Sequence, residues 1–291
     1  MGASKRLFEN FNLYINNKME NEYLLQFDNR IIPTESFITT IHENYRVEEG
    51  NIIFPTDYVN ELSPDNIDSG VFWKLATDNF PLFSISGGVQ TITTTEEANQ
   101  VNLMGAYKMN VFNPIRELFF SVSNPYWLEI GPGFGGMEKL ISENFENKNY
   151  YAIDVNPLFE HRNMYKCDGK NIPSEIPLGL DMVYSMNVFQ HLSKAQRTSY
   201  YKQIHIILKE GGKFIFGMFV LTEKNKDLNV WGYRDENGRL YTSFFKQLTP
   251  IDREEELLAE LRDIGFEVKQ LSPESNLHSY IAYECTKPTI S

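Results

Sequence analysis

The 291-residue chain has only two cysteines, Cys167 and Cys285. They lie far apart, outside any C-x-x-C pair or Cys/His cluster, so neither a disulfide framework nor a structural zinc site is expected. Basic residues are scarce as well: 27 Lys and Arg stand against 39 Asp and Glu, giving a net charge of -12. No run of more than two basic residues occurs. Polyanion binding draws on such clusters, so neither a nucleic acid nor an anionic membrane is an expected partner. No apolar stretch approaches the roughly 18 residues that a membrane-spanning helix needs. The first residues lack the basic-then-apolar order of a secretion signal, and Arg6 stands where a myristoylation motif wants Ser or Thr. A cytoplasmic location follows as the expectation. Internal repeats and low-complexity segments are missing too.

Apolar residues make up 42% of the chain, enough to fill a sizeable core, and 14% of residues are aromatic. Most of those 21 Phe and 16 Tyr are expected in the core, with a surplus available to line a pocket. The densest chemical signal is Trp127-Leu128-Glu129-Ile130-Gly131-Pro132-Gly133-Phe134-Gly135-Gly136. An apolar run ends in an acid and a glycine-rich loop. Met137, Leu140, Ile141 and Phe145 then follow at helical spacing. The pattern predicts a buried strand, a tight turn and a helix N-terminus, a place where backbone N–H groups and the helix dipole favour a nucleotide-type ligand. The loop by itself leaves the ligand open. Gly131, Gly133 and Gly136 fit the dinucleotide fingerprint G-x-G-x-x-G. Glu129, Gly131, Gly133 and Gly135 fit E-x-G-x-G-x-G. A purely structural elbow is a third reading.

Downstream segments narrow the choice. Tyr150-Tyr151-Ala152-Ile153-Asp154 predicts a second parallel strand ending in an acid that could hold ribose hydroxyls. Met164 to Gly169 predicts a weaker strand that also ends in an acid, Asp168. Asp181 to Leu192 predicts a fourth strand and a loop. Ser193 with Gln196 makes a capping box for a helix carrying Tyr200, Ile204, Ile207 and Leu208. In Leu208-Lys209-Glu210-Gly211-Gly212, Gly211 is expected to be the left-handed helix cap and Gly212 the turn into a fifth strand. Together these segments, over roughly residues 113 to 288, resemble class I S-adenosylmethionine (SAM)-dependent methyltransferases. Glu129–Gly135 matches the first family motif, Asp154 and Asp168 the acids after the second and third strands, and Asp181–Leu192 the fourth motif.

The resemblance implies a doubly wound, mostly parallel seven-stranded α/β sheet closed by a C-terminal antiparallel hairpin. Phe266–Val268 and Ser279–Cys285 are the expected hairpin strands. Thr249-Pro250 is expected to open the helix before them, with Gly265 closing it. Residues 113–291 would form the catalytic core, with an insert at about 221–248. Residues 1–112 would form a mixed α/β extension that serves as a lid or specificity region, or as a structural or oligomerisation appendage. Strand-like pieces appear at Arg30–Ile32 and Asn51–Phe54, and an apolar patch spans Val71 to Ile85. Thr94 with Glu97 suggests a capped helix to about Val111, and Asn113-Pro114 suggests another helix start.

The implied cofactor is SAM. Gly131, Gly133 and Gly135 would pack against its methionine and ribose parts, and Glu129 would hold its amino group or order the loop. Asp154 would take the ribose hydroxyls, and Val155 would cover an adenine face or sit in the core. Asp168, with Gly169, would bond the adenine amino group or cap its own loop. Asn187 would lie where cofactor and acceptor meet. His191 is a candidate general base, or a helix-start histidine satisfied by backbone groups. Trp231 and Tyr233 in the insert are candidate substrate platforms, with packing of the insert on itself as the plainer reading. The fourth motif lacks the Asn/Asp-Pro-Pro-Tyr/Phe run of exocyclic-amine methyltransferases, and no acid cluster suited to magnesium stands near Asn187, so no metal is expected. The function implied is methyl transfer to a small-molecule acceptor, O-methylation of a sugar or secondary metabolite foremost. An NAD(P)-dependent oxidoreductase and a SAM-binding module without turnover remain the alternatives, and an oligomer is possible.

Overall fold

The computed structural model describes residues 46–48, 51–54, 83–85, 90–92, 99, 103, 106, 109–223, 233–235, 240–244, 247–250, 252–272 and 280–289. In chain order the strands and helices are β1 (Arg46–Glu48), β2 (Asn51–Phe54), β3 (Phe83–Ile85), β4 (Gln90–Ile92), α1 (Phe112–Ser121), β5 (Trp127–Ile130), α2 (Gly136–Asn144), β6 (Tyr150–Asp154), β7 (Met164–Lys166) and β8 (Leu180–Met186). A 3₁₀ turn, Phe189–His191, leads to α3 (Lys194–Ile207), β9 (Leu208–Leu221), β10 (Tyr233–Asp235), β11 (Leu240–Phe244), β12 (Gln247–Pro250), β13 (Asp252–Arg253), α4 (Glu254–Ile264), β14 (Glu267–Gln270) and β15 (Tyr280–Thr286).

The main sheet has the order β14-β15-β9-β8-β5-β6-β7, with β13 added beside the end of β9. Strands β5 to β9 run parallel, and β15 is antiparallel to both β9 and β14. This is the doubly wound sheet with a terminal hairpin that the sequence predicted. Strand alternation builds its two cores. Leu128, Ile130, Ile153, Val183, Phe214 and Phe216 point to one face and pack with Tyr200, Tyr201 and Ile204 of α3 and Leu257 and Leu261 of α4. Their neighbours Trp127, Ala152, Met182, Tyr184 and Ile215 point to the other face, against α1 and α2. The strand order turns around between β5 and β8, and the C-terminal ends of these strands form the edge where open α/β sheets take ligands.

Several boundaries differ from expectation. Helix α1 starts at Phe112 rather than at Pro114. Asn110, at φ 57°, makes the preceding turn, and the Asn113 side chain accepts from Arg116 instead of capping. The Ser193–Gln196 capping box is present, with both reciprocal hydrogen bonds. Gly211 is not the helix cap: α3 ends at Ile207, and Leu208 already pairs with Leu180 in β9. Gly211, at φ 72°, falls instead at the register shift that makes Lys213 the partner of Met182. Thr249-Pro250 lies in β12, and α4 begins at Glu254, where Glu254, Glu255 and Glu256 favour the positive end of the helix dipole. Gly265, at φ 112°, closes α4 as expected. Cys167 lies just past β7 and is half-buried.

A second sheet, β1-β2-β10-β11-β12, joins segments distant in sequence. Strand β2 pairs in parallel with β10, Tyr233 facing Ile52 in the register. Strands β3 and β4 form a separate hairpin. Arg30–Ile32 and Thr94–Glu97 lie outside the described residues, as does most of Val71–Ile85. Asn99, Leu103 and Ala106 have helical backbone.

Candidate active site

The glycine loop connects β5 to α2, and its conformation is one that only glycine adopts cheaply. Gly131, Gly133 and Gly135 have φ of 68°, 56° and 75°. In this left-handed region a Cβ would press on the following carbonyl. The Gly131 N–H donates to the Ile153 carbonyl, and that of Gly135 to the Pro132 carbonyl, folding the loop back onto the sheet edge. The surroundings of the three differ. A methyl group on Gly131 would overlap Val188, and one on Gly135 would press on the Phe159 ring at 3.1 Å. A methyl on Gly133 would meet none of the described residues within 4 Å. Gly133 thus presents bare backbone to open space, a surface a flat ligand can approach.

Beside the loop lies an open cleft bordered by Asn99, Leu103, Glu129, Gly131, Pro132, Gly136, Met137, Tyr184, Met186 and Asn187. Glu129 is 4% exposed, and the Tyr150 hydroxyl donates to its carboxyl group at 3.0 Å. Burial pushes its pKa up from 4.5 to about 8, with the Tyr150 bond pulling the other way and Glu138 and Asp154 adding repulsion. A buried carboxyl group at a cleft wall gains from any cation that enters.

Asp154 ends β6, and its carboxylate turns in to accept the N–H groups of Asn156, Gly133 and Val155. Burial still dominates and lifts its pKa to about 6. Asp154 and the glycine loop are therefore joined directly. Val155 is half-buried. Asp168 is held by its own turn: one carboxylate oxygen accepts from the Lys170 and Asn171 amides, the other from the Asn171 side chain at 2.7 Å. Its slight burial raises the pKa, but these bonds outweigh that and hold it below the ordinary value. Gly169 is buried at φ 73°, and its carbonyl accepts from Gln196.

Asn187 borders the cleft with a left-handed backbone, φ 60°. His191 does not border it. His191 is 4% exposed in the 3₁₀ turn, and burial lowers its pKa to about 3. Trp231 lies outside the described residues. Tyr233 has a described backbone only, as the first residue of β10. Among the described residues, no group of three or more His, Cys, Asp or Glu could hold a metal ion. Among the described residues, no helix is long and apolar enough to cross a membrane.

The sequence reading missed Asn99, Leu103, Tyr184 and Met186 on the cleft, and Tyr150 behind Glu129. Tyr184 and Met186 were legible in principle, because alternation along β8 puts both on the Tyr150 face. Asn99 and Leu103 precede the motifs, and only folding brings them to the loop. The Asn99 side chain donates to the Phe134 carbonyl at 3.4 Å.

Residues 106–271 match the family model described as a methyltransferase domain. The chain belongs to this family. It is a class I SAM-dependent methyltransferase, and SAM is its cofactor. No curated protein matches the methyltransferase by sequence. Its fold resembles that of a SAM-dependent methyltransferase from Clostridium acetobutylicum, with 14% identity, TM-score 0.47, and coverage of 66% of this chain and 99% of the other. It likewise resembles a putative one from Listeria monocytogenes, with 18% identity, TM-score 0.44, and coverage of 57% and 92%. A carbon methyltransferase, CurJ, aligns at 17% identity and TM-score 0.48, over 67% of this chain and 59% of the other.

The residues of this methyltransferase fit the cofactor on their own chemistry. Gly133 leaves its backbone uncovered, Glu129 puts a buried carboxyl group on the cleft wall, and Asp154 ends the neighbouring strand: these are groups that could hold a nucleoside-type cofactor.

Proposed function

We propose that this methyltransferase acts on a small-molecule acceptor, with O-methylation of a sugar or secondary metabolite as the favoured chemistry. The observation that carries this reading is the cleft lining. Its described side chains are hydrogen-bonding (Asn99, Tyr184, Asn187), apolar (Leu103, Met137, Met186) or acidic (Glu129), and none is cationic. A polyphosphate chain needs basic contacts that these residues do not offer. A neutral hydroxylated molecule needs hydrogen bonds and apolar contact, which they do offer.

SAM supplies a methyl group on a sulfonium that is already a good leaving group. The chain's contribution is then chiefly orientation. We assign Gly131, Gly133 and Gly135 to the backbone cradle, Glu129 to the amino group and Asp154 to the ribose hydroxyls. We place Asn187 at the junction with the acceptor. Asp168 and Gly169 fit the adenine end, with Asp168 already committed to its own turn through three hydrogen bonds. We further infer that residues 1–112 and the insert at about 221–248 act together over the cleft, with Trp231 and Tyr233 as acceptor contacts. The β2–β10 pairing and the approach of Asn99 and Leu103 to the cleft support this.

A second reading has its own support. A histidine pushed to about pKa 3 and away from the cleft lining is a weak base, so His191 is poorly placed to take an acceptor proton. That favours a module that binds SAM without turnover. Incubation with methyl-labelled SAM and a panel of hydroxylated sugars and phenolic metabolites separates the two. Label transferred to an oxygen of a small molecule supports the proposal. Label in protein, nucleic acid or an amine overturns it. Tight cofactor binding with no label transferred to any acceptor establishes the binding module.

A further inference from the structure

Two long-range hydrogen bonds tie the end of β8 to the start of β15 and to the end of β5. Tyr280, the first residue of β15, places its hydroxyl 2.8 Å from the Asn187 backbone N–H and accepts from it. Tyr280 has to pass over β9 to get there, and it does so at Gly217. A methyl group on Gly217 would lie 2.7 Å from the Tyr280 ring and hydroxyl and 2.8 Å from the Met186 methyl. Glycine within a strand often marks such a close approach. The Tyr280 ring is fixed from its other side by Phe219, edge to face at 5.0 Å.

The bond lands on a strained residue. Asn187 is left-handed, which costs a non-glycine residue energy, and such strain persists where the surroundings over-determine it. The next side chain, Val188, occupies the space that a Cβ on Gly131 would fill. The hydroxyl of Ser185 in β8, two residues before Asn187, donates to the Ile130 carbonyl at 2.9 Å. The end of β8 is thus pinned to the start of the glycine loop from below.

We propose that Tyr280 is a positioning residue for the cofactor loop: by holding Asn187 in its left-handed turn it seats Val188 under Gly131, and Gly217 is the gap that lets it reach. This rests on the assignment of the glycine loop to SAM. Nothing in the four family motifs contains Tyr280 or Gly217.

The test is a double-mutant cycle of Tyr280→Phe and Asn187→Gly on full-length protein, read by calorimetric titration with S-adenosylhomocysteine; glycine adopts the left-handed turn without being held there. Phe keeps the ring against Phe219 and removes only the hydroxyl. Loss of one neutral hydrogen bond corresponds to roughly a fivefold weaker Kd. Tyr280→Phe is expected to weaken binding by about that factor in wild type, and to cost little in the Asn187→Gly background, where the turn needs no holding. Gly217→Ala should reproduce the effect of Tyr280→Phe. The Asn187 amide resonance should shift in Tyr280→Phe, a signature that general loosening would not confine to that residue. Additive losses, or unchanged affinity in Tyr280→Phe, would overturn the proposal. If wild type itself fails to bind S-adenosylhomocysteine, the loop assignment falls instead. Should Tyr280→Phe not fold, Gly217→Ala carries the test, through the same titration and through the shift of its own Asn187 amide resonance.

Discussion

Gly131 and Gly133 offer a matched pair for asking what each glycine of the loop does. Both have left-handed backbones, so alanine at either adds strain of about 1–2 kcal/mol. The same exchange also stiffens the unfolded chain equally in both variants, and that contribution cancels in the comparison. What differs is the space around the new methyl. At Gly131 it overlaps Val188, and forcing extra volume into a packed site adds about 1–3 kcal/mol. At Gly133 it meets none of the described residues within 4 Å. Gly131→Ala is therefore expected to be less stable than Gly133→Ala by about 1–3 kcal/mol in urea unfolding. Val188→Ala should cost less in the Gly131→Ala background than in wild type, because it removes the overlap. The order of the two variants reverses for the ligand. With the cofactor assigned to the uncovered face of Gly133, Gly133→Ala should weaken S-adenosylhomocysteine binding by at least about tenfold, equivalent to 1.4 kcal/mol. Equal stability of the two variants would refute the packing argument. Unchanged S-adenosylhomocysteine affinity in Gly133→Ala would refute the assignment of that open face.

Three further outcomes are expected. Asp154→Ala should weaken S-adenosylhomocysteine binding measured by calorimetry. Wild-type affinity should also fall as pH drops below about 6, where the Asp154 carboxylate becomes protonated. Glu129 has a folded-state pKa of about 8 against an ordinary 4.5, so its unfolded form loses the proton first. Its contribution to stability is full below pH 4.5 and is lost as pH rises towards 8. Glu129→Gln, which stays neutral, should flatten that slope in urea unfolding while weakening S-adenosylhomocysteine binding. Asp252 and Arg197 form a buried ion pair at 2.7 Å that ties β13 to α3. Asp252→Asn leaves the guanidinium without its charge partner and should cost about 3–5 kcal/mol in the same assay.

The sequence carried the fold because local and global signals agreed. Strand alternation in Trp127–Ile130, Tyr150–Asp154 and Phe214–Phe216, the Ser193 capping box and the Gly265 cap each depend on neighbouring residues only. So does the left-handed need of Gly131, Gly133 and Gly135, since the turn between β5 and α2 leaves no other backbone. The misplaced boundaries share one cause. Gly211, Asn113 and Thr249-Pro250 are all residues that often end or begin helices. Pairing of Leu208 with Leu180, of β12 with β11, and the turn at Asn110 outcompeted those local preferences.

The candidate site divides along the same line. The type and order of Glu129, the three glycines, Asp154, Asp168 and Asn187 could be read from the chain, because each sits where a strand ends and a loop begins. Whether a carboxyl group is enclosed or bonded to its own turn could not. Glu129 is raised to about pKa 8 because Tyr150 and the sheet seal it, whereas Asp168 is lowered by amides one turn away. His191 shows the same limit: its spacing suggests a base, and its burial decides against an easily protonated one. Asn99, Tyr184, Gly217 and Tyr280 gain their meaning only from neighbours 30 to nearly 100 residues distant. Sequence alone determined the strand order's ingredients and the cofactor loop, since those follow from short-range sterics and periodicity. Tertiary structure alone decided the cleft wall, the titration of its carboxyl groups and the hydroxyl that steadies the loop, since desolvation and long-range contact exist only once the chain has closed on itself.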